Sequence, residues 1–109
     1  MDGTWTDVGA LADFPDGKGR QVMVGDEPVV VVRVGDRAFG LSDVCTHQGA
    51  ALHGGGVRTA APASISCPFH GSTFALADGR VLRGPANRPV AAYEVRVDDG
   101  VVVVRPGAG

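Results

Sequence analysis

Two short segments of the chain carry side chains that could bind a metal. Cys45-Thr46-His47 and Cys67-Pro68-Phe69-His70 each place a thiol beside an imidazole, and positions 48–66 separate them. Two thiolates and two imidazoles placed in this way are a ligand set for a metal centre. The short spacing lets one loop present both of its ligands with a small loss of chain entropy. This pattern therefore predicts one metal centre held between two loops.

Ligand count alone leaves the kind of metal centre open. One alternative is a tetrahedral zinc ion with two cysteine and two histidine ligands. The other is a two-iron, two-sulfide cluster in which two histidines replace two cysteines on one iron. The surroundings favour the cluster, because small zinc modules use the metal in place of a core and this chain is rich in β-branched residues. A disulfide or two buried thiols would not explain a histidine beside each cysteine.

The elements that must position these loops are strands. Gly35-Asp36 and Asp98-Asp99-Gly100 separate apolar β-branched segments and are typical of hairpin turns. The predicted strands are Thr4–Val8, Val22–Val24, Val29–Val34, Arg37–Leu41, Thr73–Leu76, Ala91–Val97 and Val101–Val104. Val8–Phe14 has a weak helical pattern. Between Ser42 and Gly84, glycines interrupt any periodicity, so we expect an all-β domain of small antiparallel sheets with a loop-rich cluster-binding subdomain.

Length and composition limit the classes of function. The chain has 109 residues, 44% of them hydrophobic, which suits a single globular domain over residues 1–109. A net charge of −2 argues against nucleic acid as a partner. No apolar run is long enough to span a bilayer, and the N-terminus lacks the pattern of a secretory signal. We therefore expect a cytoplasmic protein without a membrane partner.

The two segments, extended to Cys45-Thr46-His47-Gln48-Gly49 and Cys67-Pro68-Phe69-His70-Gly71, resemble the two ligand loops of the Rieske ferredoxin family. The resemblance covers nearly the whole chain and is specific mainly in these loops. It implies one [2Fe-2S] cluster within a subdomain at about residues 43–86. Cys45 and Cys67 would bind one iron, and His47 and His70 would bind the other.

The resemblance also implies roles around the cluster. Gly84-Pro85 would form a loop that covers it. His53 matches no ligand position of the family, so we interpret it as a solvated or loop-packing histidine.

The resemblance further predicts a low redox potential. Histidine ligation leaves the oxidised cluster about neutral, which favours reduction. High-potential members add a disulfide between the loops, but Ala50 and Phe69 stand at those positions. They also use a serine and a tyrosine hydroxyl as donors to sulfur. Ser72 matches the serine, whereas Phe74 has no hydroxyl. We expect a potential in the lower half of the Rieske range, about −150 to +300 mV.

These features predict an electron carrier. The chain is too short to hold the catalytic domain of a Rieske oxygenase and is not itself an enzyme by this interpretation. We expect a monomer that passes single electrons from an NAD(P)H-dependent reductase to the terminal oxygenase of an aromatic-ring dioxygenase system. One alternative is the small subunit of a larger reductase, such as an assimilatory nitrite reductase. Another is a structural zinc module that binds a protein.

The cluster half of the chain is its positive half. Residues 45–90 contain four arginines and one aspartate, whereas residues 1–43 contain four basic and eight acidic residues. This asymmetry predicts docking to a more acidic partner surface. The residues expected near the contact are Gln48, Leu52, Phe69 and Pro85.

Overall fold

The computed structural model of the chain describes residues 4–46, 49–69 and 71–107. These ranges hold two short 3₁₀ helices, Leu11–Asp13 and Leu52–Gly54, and ten strands. The strands are β1 (Thr6–Ala10), β2 (Gly19–Val24), β3 (Glu27–Val34), β4 (Arg37–Ser42), β5 (Val57–Arg58), β6 (Ser64–Ser66), β7 (Thr73–Ala75), β8 (Val81–Arg83), β9 (Ala92–Asp98) and β10 (Val101–Pro106).

Six of these strands form one antiparallel sheet in the order β1-β10-β9-β4-β3-β2. Two-residue turns connect its three hairpins, and each turn holds a glycine with positive φ. At Asp99-Gly100 both central residues have positive φ, 54° and 80°, as in a type I′ turn. These turns match the right-handed twist of the strands that they join.

The other four strands form a small antiparallel sheet in the order β5-β6-β7-β8. This sheet lies, in sequence, between β4 and β9 of the large sheet. The segment with Cys45 therefore lies between β4 and β5, and the segment with Cys67 lies between β6 and β7. Each predicted metal-binding segment is thus anchored by strands on both sides.

Four consecutive valines of β3, Val29–Val32, are fully buried and supply two separate cores. Val30 and Val32 pack in the cluster that contains both cysteines. Val29 and Val31 pack in a second cluster with the valines of β10. Because side chains alternate across a strand, a continuous apolar run indicates burial on both faces.

The predicted all-β architecture is confirmed, and some local expectations change. The weak helical pattern at Val8–Phe14 forms no α-helix, since β1 continues to Ala10 and only one 3₁₀ turn follows. Pairing of β1 with β10, with a register shift near Gly9, decides this segment. Strands β5, β6 and β8 were not expected because they are two or three residues long. No helix in the described ranges is long and apolar enough to cross a membrane.

Candidate metal centre

The two cysteines are free thiols buried in the same core cluster. Cys45 is 1% exposed and Cys67 is 5% exposed. Leu52, Ile65 and Phe74 belong to that cluster. Strand β4 of the large sheet ends at Ser42, shortly before Cys45, and strand β6 of the small sheet ends directly before Cys67. The fold thus brings residues 22 positions apart into one apolar environment. The arrangement offers two sulfur ligands shielded from water.

The two cysteine loops share one hydrogen-bond pattern. In the first, the Cys45 amide donates to the Ala50 carbonyl at 2.8 Å, and the Gly49 amide donates to the Cys45 carbonyl at 2.8 Å. In the second, the Cys67 amide donates to the Ser72 carbonyl at 2.7 Å, and the Gly71 amide donates to the Cys67 carbonyl at 3.2 Å. The spacing along the chain is the same in both loops. Two equivalent loops can therefore clamp one centre from opposite sides.

Glycine is required at the same point of each loop. Gly49 has a φ of 74° and Gly71 has a φ of 77°, both in the left-handed region. Residues with a Cβ rarely adopt this conformation. The glycine four residues after each cysteine thus closes the loop back onto the cysteine carbonyl.

The remaining predicted ligands, His47 and His70, lie outside the described residues, as does Gln48. In the chain, His47 follows Thr46 and His70 precedes Gly71, within the two loops defined above. Their assignment as ligands stays a prediction.

Ser72 connects the second cysteine loop to the predicted covering loop. Its side chain is fully buried, and its Oγ accepts a 2.9 Å hydrogen bond from the Ala86 amide. Ala86 follows Gly84-Pro85, so this bond holds the covering loop against the second cysteine loop. Phe74 is fully buried in the core with both cysteines. Phe74 and Ala86 thus share the core cluster of both cysteines, and Ser72 is bonded to Ala86, while the roles of Ser72, Phe74 and the 84–85 loop around a cluster stay predictions.

His53 faces Asp43. Its Nδ1 lies 2.6 Å from Oδ2 of Asp43, while its ring remains 42% exposed. Asp43 is buried and also accepts hydrogen bonds from the His53 amide and from Nε2 of Gln21. These contacts tie the start of the first cysteine loop to strand β2. The interpretation of His53 as a loop-packing residue agrees with this geometry.

The expected docking residues differ in exposure. Phe69, at the tip of the second loop, is 69% exposed, and Pro85 is also exposed. Leu52 is fully buried in the core, so its assignment to a contact surface is wrong. Leu52 begins a short 3₁₀ helix, and its amide donates a hydrogen bond to the Asp43 carbonyl. This arrangement turns the side chain inward.

Charge around the centre is partly neutralised. Arg80 forms an ion pair with Asp78 at 3.1 Å. Its backbone amide and guanidinium hold the pKa of Asp78 below its ordinary value. In the described part of the chain, Arg58, Arg83 and Arg88 make no ion pair. The positive charge predicted for this half therefore rests on these three arginines.

Comparison with known proteins gives a consistent result. The profile of the Rieske [2Fe-2S] domain family matches residues 4–94. The chain is 38% identical over 105 residues to ferredoxin CarAc of Metapseudomonas resinovorans, covering 95% of each protein. It is 35% identical over 97 residues, 89% of this chain, to the cytochrome b6-f complex iron-sulfur subunit of Chlorobaculum tepidum, and spans 51% of that protein.

Solved structures show the same fold. The ferredoxin of carbazole 1,9a-dioxygenase from Nocardioides aromaticivorans matches with a TM-score of 0.91 and 32% identity, over 95% of this chain and 99% of that one. A carbazole 1,9a-dioxygenase ferredoxin, solved in complex with its oxygenase, matches with a TM-score of 0.87 and 34% identity, over 99% of this chain and 100% of that one. A Mycobacterium tuberculosis protein described as a nitrite reductase small subunit matches with a TM-score of 0.86 and 27% identity, over 99% of this chain and 100% of that one.

Proposed function

This chain belongs to the Rieske [2Fe-2S] domain family, and from this premise we propose that it carries single electrons from an NAD(P)H-dependent reductase to a terminal oxygenase. The observation that carries the proposal is the pair of equivalent loops, each with a buried cysteine thiol at its base. The second loop ends in an exposed tip at Phe69. A shielded centre close to an exposed tip suits electron transfer between proteins.

The predicted [2Fe-2S] cofactor is confirmed by the family, and the zinc alternative is wrong. The donor set of the structure fits this group, since both thiols are free, buried and in one core. When bound, the cluster takes up and releases one electron at a time. The predicted role as an electron carrier is confirmed by relatives that are ferredoxin components of dioxygenases.

We assign the ligands as Cys45 and Cys67 to one iron and His47 and His70 to the other. Burial of the two thiols supports the cysteine assignment, because it protects thiolate sulfur from water. The identical hydrogen-bond pattern of the loops supports a pairwise arrangement. The cluster-binding subdomain would span about residues 43–86 within a single domain of residues 1–109.

Ser72 and Phe74 would set the potential. The Ser72 oxygen accepts from the Ala86 amide, which leaves the hydroxyl hydrogen available to a cluster sulfur. Phe74 packs in the same core without a polar atom. One donor in place of two stabilises the reduced state less, which places the potential in the lower half of the Rieske range.

An oxygenase partner is supported by the related carbazole 1,9a-dioxygenase ferredoxin, which forms a complex with its oxygenase. The exposed side chains of Phe69 and Pro85 offer an apolar contact at the tip. We propose that the chain is a monomeric carrier in the cytoplasm. A nicotinamide-linked reductase would supply its electrons.

A second candidate is the small subunit of a nitrite reductase, supported by the likeness to the Mycobacterium tuberculosis protein. Both functions use the same cluster and fold. A free carrier should purify alone and exchange electrons with a separate reductase. A fixed subunit should copurify with a larger partner.

The experiment that tests the proposed function starts from holoprotein purified alone. We expect a red-brown protein whose visible and electron-paramagnetic spectra change on reduction with dithionite. Added in catalytic amount, it should also mediate cytochrome c reduction by an NAD(P)H-dependent ferredoxin reductase. A colourless protein, or one that mediates no reduction, contradicts the proposal.

A further inference from the structure

The outer face of the small sheet is polar, whereas its inner face belongs to the core. Ile65 and Phe74, which pair across β6 and β7, are fully buried. Their neighbours point to the opposite face, because side chains alternate along a strand. There, Arg58 pairs with Ser64, and Thr73 pairs with both Ser66 and Arg83. The packing of the small sheet against the core does not involve this outer face.

These outer residues line an open groove of about 370 Å³, here named the arginine groove. Pro62 and Leu82 contribute apolar walls. Its polar lining consists of Arg58, Ser64, Ser66, Thr73 and Arg83. No carboxylate is part of the lining formed by the described residues.

Two unpaired cations lie at opposite edges of the arginine groove. Arg58 is on edge strand β5 and Arg83 is on edge strand β8. Within the described ranges, neither guanidinium has a hydrogen bond or ion pair, in contrast to Arg80 with Asp78. A guanidinium presents donors in a fork that matches a carboxylate. The groove thus offers two carboxylate positions that no described side chain of this protein occupies.

The hydroxyls of the groove floor have defined directions. Thr73 Oγ1 donates to the Gly71 carbonyl at 3.0 Å, so the Ser66 hydroxyl, 2.9 Å away, donates to Thr73. Ser64 makes no side-chain hydrogen bond to the described residues, and its hydroxyl can donate to a ligand. The floor also reaches the second cysteine loop through Gly71. An occupant of the groove would therefore lie beside that loop.

We infer that the arginine groove binds a carboxylate-bearing segment of a redox partner protein. This inference rests on the proposed function, because it assumes a protein partner. Strand spacing of about 4.8 Å puts β5 and β8 about 14 Å apart. An extended segment gains about 3.3 Å per residue, so carboxylates four positions apart match this span and lie on one side. The segment would orient the partner while the loop tip exchanges the electron.

The first test titrates oxidised holoprotein with a capped seven-residue peptide. The peptide carries aspartate at its second and sixth positions among glycine and serine, and binding is followed by NMR of the arginine side-chain Nε signals. We expect shifts at Arg58 and Arg83, and no saturable shift with the asparagine version of the peptide. Failure of the aspartate peptide to bind, or equal binding of both peptides, would overturn the inference.

Variants assign the binding to the groove. The double variant R58Q/R83Q should raise the peptide Kd about tenfold. Each of the two partly exposed arginine–carboxylate pairs contributes about threefold to this change. Lys18→Gln removes a charge outside the groove lining and should leave the Kd within about twofold. If Lys18→Gln and R58Q/R83Q raise the peptide Kd equally, binding depends on net charge alone and a defined site is rejected.

A separate readout keeps this inference distinct from the proposed function. The visible spectrum of the double variant should match that of the native protein, because neither arginine is a ligand. Its iron content per mole of protein should also be unchanged. If the native protein carries no electrons, the proposed function fails. If it carries electrons but does not bind the peptide, only the groove inference fails.

Discussion

The amide of Ala86 donates a 2.9 Å hydrogen bond to the Oγ of buried Ser72. One contact thus joins the loop at residues 84–85 to the second cysteine loop, and it leaves the serine hydrogen free. The same side chain can hold the covering loop and donate to the cluster. This dual contact makes Ser72 the most direct site at which to test the control of potential.

Replacement of Ser72 by alanine should lower the midpoint potential by about 40–90 mV. The estimate assumes that the lost hydrogen bond stabilises the reduced state by about 1–2 kcal/mol. This energy is converted to a potential at about 59 mV for each tenfold change in a one-electron equilibrium constant. Protein-film voltammetry measures the shift. Ser66→Ala is the control, because the Ser66 hydroxyl points to Thr73. An unchanged potential in Ser72→Ala would reject the donor role.

Phe74→Tyr should raise the potential, since it adds a hydroxyl near the cluster. Phe74 is fully buried, so the added oxygen also crowds the core and should destabilise the fold by about 1–3 kcal/mol. Voltammetry and thermal unfolding of the holoprotein measure the two effects. A stable variant with an unchanged or lower potential would contradict the expectation.

His47→Ala and His70→Ala should each lose the cluster, because an open iron position admits water. His53→Ala should retain it, because the Nδ1 of His53 faces Asp43 at 2.6 Å. Visible absorbance per mole of protein and iron content distinguish these outcomes. A bleached His53→Ala protein together with a coloured His47→Ala protein would reverse the ligand assignment.

Gly55 and Gly54 form a matched pair for a stability test. A Cβ on Gly55 would lie 1.6 Å from the Ser66 carbonyl oxygen, whereas a Cβ on Gly54 meets no described atom within 4 Å. Gly55→Ala should destabilise the protein by about 1–3 kcal/mol, or roughly 4–20 °C in Tm. Gly54→Ala should change Tm by less than about 4 °C. Similar Tm values for both variants would contradict this close backbone contact.

Electron transfer to the partner should slow as salt rises. Arg58, Arg83 and Arg88, which form no ion pair with described residues, give the cluster half its positive charge. The screening length falls from about 30 Å at 0.01 M salt to about 3 Å at 1 M. Stopped-flow rates with the isolated oxygenase should fall several-fold over this range. A rate independent of salt would count against electrostatic steering.

The chemistry of this protein is readable from the sequence because it is local. The predicted ligand types, their spacing and the glycine four residues after each cysteine lie within a few residues. The hairpin turns are equally local, since Gly35-Asp36 and Asp99-Gly100 adopt backbone angles that glycine permits. The alternation of Val29–Val32 between two cores also follows from the geometry of a single strand.

Only the tertiary structure decided what depends on distant segments. Leu52 is an apolar loop residue in the sequence, but its contacts with a remote core bury it. Asp43 meets Gln21 and His53 because β2 and the first loop are neighbours in space. Arg58 and Arg83 face one groove because β6 and β7 pair between the two strands that carry them. Sequence patterns report local periodicity, whereas these relationships arise from cross-strand pairing and long-range packing.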